Sequence, residues 1–434
     1  MKSHRILIIF LIVTILCFFA SNSKSVYTID NSAYVIGIGI DTGSDEKIKL
    51  SLQIAVPSSS SGSGSSSDGS EQSSSFIINT VECNTIDSGI NLVNSYISKK
   101  LNLSYCEVVV FSEEIASKDI SNYVATLIND IEVRPYCNIV VSRCDAKYYL
   151  QNSKPLLDEL SSKYYQVEPS SENNTGYTKE VTLLDFYNDY FDSFCEPFAI
   201  LGSINSSDAK DYEGNFNTNA SNGGTSNDSL IGFNSKDTGA SNKVDPDAEL
   251  PLSSHDNIEN LGLAVFHNGT FVGELSASET VYHLIVSNDF KTSTISIPSP
   301  FDDSDYIALY ITNTKSKNKV KFVNGSPYII CNVSLSARIF SSTTNSNYMI
   351  EENLSKIEDY ANSYFQARLE DYLYKTSVDL QADIAKFGKY AVKSFLTLDN
   401  WNNYNWINNY KNSTFKVSVN TNIKSSYLVV GNKQ

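Results

Sequence analysis

Two period-two runs meet at a polar turn near the start of the chain, and they constrain the fold more than any other stretch. In Ala33–Asp41, Tyr34, Ile36, Ile38 and Ile40 fall on one face, and Val35, Gly37 and Gly39 on the other. In the second run Ile48, Leu50, Leu52, Ile54 and Val56 alternate with Lys49, Ser51 and Gln53. Successive side chains of a strand point to opposite faces, so the pair predicts an antiparallel hairpin around Thr42–Glu46 with one face buried. Gly37 and Gly39 remove side chains from one face, which predicts that another element packs closely there.

Two tracts interrupt this order. Residues 57–75 are nearly all Ser and Gly, and residues 203–255 are dominated by Ser, Asn, Asp and Gly. Neither can bury enough apolar surface to offset the entropy of ordering, so the first predicts a loop and the second a linker or insertion. The remainder is ordinary globular sequence, 41% hydrophobic over 434 residues. The organisation expected is therefore a leader at 1–25, an N-terminal domain at 26–202 containing the Ser-rich loop, the tract 203–255, and a C-terminal domain at 256–434.

The leader has a basic start, Met1–Arg5, then the uncharged Ile6–Ala20, then the polar Ser21–Ser25. That is the layout of a secretory signal, too short for a comfortable bilayer span of about 20 residues. It predicts an exported chain, either cleaved near Ser23 or Ser25 or held by an uncleaved N-terminal anchor. The net charge of −16, from 33 basic and 49 acidic residues, sets the chain against nucleic acid, whose phosphates it would repel. Beyond Cys17 in the leader, Cys83, Cys106, Cys137, Cys144, Cys195 and Cys331 are scattered without a Cys-x-x-Cys pair. No metal site is expected from that spacing, and buried free thiols are.

Apolar periodicity places a strand at 74–81, a helix from Ile86 to Leu101, a strand at 105–111, a helix around Ile120–Leu127 and a strand at 136–142. Pro155–Tyr165 and Leu183–Phe194 also read as helical. This alternation describes an α/β-type, mixed-sheet N-terminal domain. Beyond the second tract, Leu261–Phe266 and Thr270–Leu275 flank Asn268-Gly269, a strong hairpin signal. Ser276 with Glu279 forms a capping box opening a helix. Strands follow at 307–312, 320–323 and 328–339, then an amphipathic helix through Leu354, Ile357, Ala361, Phe365, Leu369 and Tyr372. Ala382–Phe395 is expected to extend it after a break, with closing strands at 415–419 and 427–430. The second half thus reads as α+β: an antiparallel sheet packed on long helices.

Among catalytic patterns, Asp41-Thr42-Gly43-Ser44 matches the signature of an aspartic protease, which needs two such carboxylates sharing a proton. A second Asp-Thr-Gly occurs at Asp237. It follows Asn234-Ser235-Lys236 inside the polar tract, not the apolar strand that would bury a catalytic carboxylate, and the charged Asp45-Glu46-Lys47 follows the first motif where that family continues Ser-x-x-hydrophobic-Trp. A secreted aspartic-type hydrolase using Asp41 and Asp237, and an exported binding or adhesion module, stand as alternatives. No phosphate-binding loop occurs, and His4, His255, His267 and His283 sit in no nucleophile motif. No catalytic, cofactor-binding or metal-binding residue is assigned.

The order of motifs resembles the Ger(x)C family, the C-subunits of spore germinant receptors, over nearly all of the exported length. Ala33–Asp41 and Lys49–Val56 match its opening strands. Leu101–Ser104, Val108–Phe111 and Ser112–Ala116 match its next steps. Gly262–Phe266, Val272–Leu275, Glu279-Thr280 and Ala382–Gly388 match its second half, with Trp401 or Trp406 before the closing strands. The resemblance implies a non-enzymatic subunit at the outer face of the spore inner membrane. Its implied partners are two integral membrane subunits, of A and B type, in nutrient-triggered germination. The family carries a lipidated cysteine about where Asn22–Lys24 stand; none is there, and Leu16 precedes Cys17. The apolar leader is expected to act as the tether instead.

Overall fold

The structure is a computed structural model and describes Leu11 and residues 31–56, 76–153, 161–205, 257–302, 304–343 and 351–424. The leader, most of both polar tracts, Asp237, His255 and the strand expected at 427–430 lie outside the described residues.

The first sheet begins with the expected hairpin, β1 (Ser32–Thr42) and β2 (Ile48–Ala55), followed by β3 (Phe76–Cys83) and helix α1 (Ile86–Tyr96). Next come β4 (Lys100–Asn102), β5 (Val108–Ser112), helix α2 (Ser121–Asn129), β6 (Asn138–Ser142), helix α3 (Ala146–Gln151), helix α4 (Leu183–Phe191) and β7 (Phe198–Asn205). Beyond the second tract, β8 (Asn257–His267) and β9 (Thr270–Leu275) join the same sheet. The order is β3-β2-β1-β5-β6-β7-β8-β9, with β4 beside the start of β1.

The centre, β1-β5-β6-β7, is parallel, and antiparallel pairs close both sides. Parallel strands linked by helices are covered on both faces, and every residue of β5 and β6 is buried. The same covering bears out the close packing expected at Gly37 and Gly39 and extends it to the polar residues paired with them. Ser51 and Gln53 are fully buried, because α3 packs over β1 and β2. A Cβ added at Gly39 would come 3.0 Å from Leu150 and 3.2 Å from Ala146. Gln53 Nε2 donates to the Leu150 carbonyl and Ser153 Oγ, and Tyr165 Oη donates to its Oε1. This residue, polar by pattern, is a satisfied core group.

Both polar tracts leave and re-enter the sheet at antiparallel partners. Ala55 pairs with Phe76 across the first, and Asn205 with Asn257 across the second. The sheet is therefore assembled from chain on either side of residues 206–256.

Helix α5 (Ala277–Ser287) follows with its Ser276–Glu279 capping box formed, and Thr280–Val286 are all buried. The second sheet contains β10 (Ser293–Pro298), β11 (Tyr306–Val323), β12 (Ser326–Ser342) and β13 (Thr414–Lys424) in that order. Its first three strands are antiparallel, as expected, and β13 adds in parallel to β12. The two strands expected at 307–312 and 320–323 are one, β11. Its polar middle, Asn313–Lys319, pairs throughout with β12, so the lysines that read as a loop line a strand face. Asn324 and Gly325 turn between β11 and β12 with φ of 51° and 84°, and Asn268-Gly269 repeat the device between β8 and β9.

Helix α6 (Glu351–Tyr374) lays Ile357, Ala361, Phe365, Leu369 and Tyr372 into the core. On the β13 side, Asn362 Oδ1 accepts the Thr421 N–H and Glu358 Oε1 accepts the Ile423 N–H. Edge N–H groups that would otherwise invite another strand are thereby occupied. Past α6 the expected helical extension fails. One π turn (Lys375–Asp379) ends it, Gln381 and Lys386 adopt left-handed backbone at φ 53° and 62°, and helix resumes only at Gly388–Ala391.

Candidate functional site

Asp41 is 6% exposed, at the end of β1. Its Oδ1 accepts the Ala146 N–H at 2.6 Å, and its Oδ2 the Lys147 N–H at 3.0 Å. The first turn of α3 leaves N–H groups without intrahelical acceptors, and a carboxylate there is favoured by the helix dipole. Burial nevertheless raises its pKa above 3.8, with the two helix N–H groups pulling the other way. Asp145, which precedes the helix, makes no side-chain cap, so Asp41 caps α3 from another element. The turn beyond it is shaped by Asp45 and Glu46, both at positive φ, and by the Gly43 N–H donating to the Lys47 carbonyl. Both oxygens on which a protease reading of Asp41 would depend are thus committed to the fold.

The described cysteines are free, and all but Cys144 are buried. Burial pushes the Cys144 thiol up to about 11 and Cys331 up to about 12. Such thiols hold their protons and act as small apolar groups. Among the described residues, no cluster of three or more His, Cys, Asp or Glu could hold a metal ion, and no helix is long and apolar enough to cross a membrane.

The chemically unusual region lies where residues 375–395 fold back onto α4, α5 and β7. Asp383 is fully buried. Its Oδ1 accepts the Phe387 N–H at 3.0 Å, and its Oδ2 accepts the Gly388 N–H and Trp406 Nε1–H, both at 2.8 Å. Burial, against these three donors, pushes its pKa up to about 7. Its carbonyl accepts the Glu196 N–H. The Glu196 side chain, also buried, accepts the Asn268 N–H and lies 3.0 Å from His267 Nδ1. A Cβ at Gly388 would lie 2.2 Å from the Phe194 carbonyl oxygen, so only glycine lets these backbones approach. Gly262, at φ +90°, is likewise fixed by the Leu275 carbonyl. The Ala382–Gly388 motif is thus a buried turn that ties the C-terminal segment to the first sheet.

Beside this turn opens a pocket of about 440 Å³. Lys179, Lys386, Lys389 and Lys393 surround it, with Phe198, Tyr390 and His283 among its walls. Lys179 pairs with Asp289, and Lys386 with Asp189 at 2.7 Å. Burial raises the Asp289 carboxyl, but Lys179 outweighs it and holds the group below its ordinary range. Lys393 lies over the Tyr390 ring, 5.5 Å from its centre. Neither Lys389 nor Lys393 has an acidic partner among the described residues. His283 is 1% exposed; its Nδ1 bonds Tyr372 Oη at 2.8 Å, and its Nε2 has no hydrogen-bond partner. Burial, reinforced by Lys179, depresses its pKa to about 3, so the imidazole is neutral.

No reading of the sequence singled out this pocket. Its lysines come from segments two hundred residues apart. The one available signal was the clustering of Lys386, Lys389 and Lys393 within eight residues.

Residues 26–203 match a family model described as the spore germination protein N-terminal domain. Residues 261–427 match one described as spore germination B3/GerAC like, C-terminal. Spore germination protein GerQC of Bacillus cereus is 23% identical over 195 residues, 43% of this chain and 52% of that protein. The chain thus spans about half the length of this curated relative. The crystal structure of the GerBC protein aligns with a TM-score of 0.49 at 13% identity, covering 89% of this chain and 96% of that one.

Proposed function

The chain belongs to the Ger(x)C family of spore germination proteins, and on that premise we propose that it is the C-subunit of a nutrient germinant receptor. In this reading it is exported and held at the outer face of the spore inner membrane by its N-terminal segment. There it works with an A-type and a B-type integral subunit and couples nutrient sensing to germination without a catalytic step of its own. The observation that carries the proposal is the succession of both family matches along one chain, in the order the motifs led one to expect. A non-catalytic role also suits a body whose best protease-like carboxylate, Asp41, caps a helix.

The test is deletion of this gene in spores stripped of their other nutrient receptors. Nutrient-triggered loss of refractility should disappear and return on complementation. Undiminished germination with every nutrient would refute the proposal. Affinity capture of the full-length chain from spore membranes should bring down both integral subunits, and recovery after removal of residues 1–25 should move from the membrane to the soluble fraction.

A further inference from the structure

The pocket beside the Ala382–Gly388 turn combines features that neither the core nor the receptor reading requires. In a chain of net charge −16, four lysines converge on one cavity. Two of them, Lys389 and Lys393, carry charge that no described acid neutralises. A fully buried imidazole lines the same cavity with one nitrogen unsatisfied. Leaving a buried polar atom without a partner costs roughly 1–3 kcal/mol, and this nitrogen, itself shut off from the surface, belongs to a ring in the cavity wall.

The tautomer follows from the neighbouring phenol. Tyr372 has no other hydrogen-bond partner among the described residues, so its O–H donates to His283 Nδ1. The single proton of the neutral imidazole then resides on Nε2, which makes Nε2–H an unused donor. Around that donor the charge is cationic, and the only acid among the pocket walls, Asp289, is already held by Lys179. A bound cation would meet repulsion here, whereas an anion would meet ammonium groups. The rings of Phe198 and Tyr390 add apolar walls, and about 440 Å³ lies within the ~300–1,000 Å³ range of small-molecule sites.

We propose that this pocket binds a small organic anion, a carboxylate or phosphate ester with an apolar body, through Lys389 and Lys393, with the His283 imidazole in the wall behind them. Lys386, restrained by Asp189, supplies background positive charge and links the ligand to the turn that contains Asp383. The assignment is independent of the receptor reading, and its readout is binding alone.

Benzoate and phenyl phosphate are suitable probes, followed through the imidazole proton resonances of the full-length chain, which has four histidines. His283→Gln identifies the resonance that belongs to the pocket. That signal should move saturably with one or both probes at millimolar concentration. The double variant Lys389→Gln/Lys393→Gln, altered only at exposed positions, should keep the fold and weaken binding by about tenfold or more. Should His283→Gln fail to fold, saturable binding measured by calorimetry and its loss in the lysine variant carry the same decision. Absence of saturable binding by either probe overturns the proposal, as does unchanged affinity in the lysine variant. A response confined to vesicles of phosphatidylglycerol overturns it in favour of a lipid headgroup.

Discussion

The carboxylate of Asp41 accepts the backbone N–H of Ala146 at 2.6 Å, joining the end of the first strand to the start of a helix 105 residues later. A motif that looks catalytic as a tetrapeptide is therefore a long-range helix cap. Asp41→Ala should lower stability by about 1–2 kcal/mol, as loss of an N-cap does. Urea unfolding should show a lower midpoint with an unchanged slope. Asp41→Asn, which keeps one acceptor oxygen, should lose less.

Asp383 should make stability depend on pH. Its pKa is pushed from 3.8 in the unfolded chain to about 7 in the folded one. A carboxyl raised on folding binds its proton more tightly in the native state, so its contribution is full below 3.8 and is lost as pH rises through about 7. Unfolding free energy should fall across that window by an amount on the order of a few kcal/mol, and Asp383→Asn should flatten the slope. Trp406 donates to this carboxylate, and the chain has only two tryptophans. In Trp401→Phe, emission should titrate with a midpoint near 7.

Gly388→Ala should be among the most damaging single substitutions. Its Cβ would fall 2.2 Å from the Phe194 carbonyl oxygen, and backbone cannot swing aside as a side chain can. A loss of about 2–3 kcal/mol is expected, with Trp401 and Trp406 fluorescence reporting the displaced turn. Alanine at the exposed Lys389, one residue further, should change stability by less than about 0.5 kcal/mol.

Glu358 and Asn362 protect the edge of β13. Replacing both with alanine removes acceptors for the Ile423 and Thr421 N–H groups. Each loss should cost about 1 kcal/mol. Hydrogen exchange at those two amides should quicken more than at their neighbours. Self-association measured by light scattering should rise as the strand edge becomes available.

What could be read from the sequence was local and periodic. The Asn268-Gly269 hairpin, the Ser276–Glu279 cap and the Ile357–Tyr372 stripe each state their structure within a few residues, and each stands in the fold as expected. The failures share a physical cause, which is dependence on partners distant in the chain. Helix α3 is six residues long and takes its cap from Asp41, so no local pattern announces it. Residues 313–319 of β11 are polar and become strand only because β12 supplies their hydrogen bonds. Ala382–Phe395 has helix-forming residues, but the buried Asp383 carboxylate captures the Phe387 and Gly388 N–H groups and turns the chain. The lysine-lined pocket is the extreme case, since Lys179 and Lys389 meet only after both halves have folded.

The pairing of Ala55 with Phe76 and of Asn205 with Asn257 gives the two polar tracts a common mechanical status. Each begins and ends at one rung of an antiparallel ladder, so each is a closed detour whose ends are already held together by the sheet. Lengthening such a detour costs only logarithmically in closure entropy. Cutting it leaves both strands hydrogen-bonded in place. A protein nicked within residues 206–256 should therefore behave as a two-piece complex that keeps the first sheet intact. The same tract is a permissive position for an inserted reporter or affinity domain.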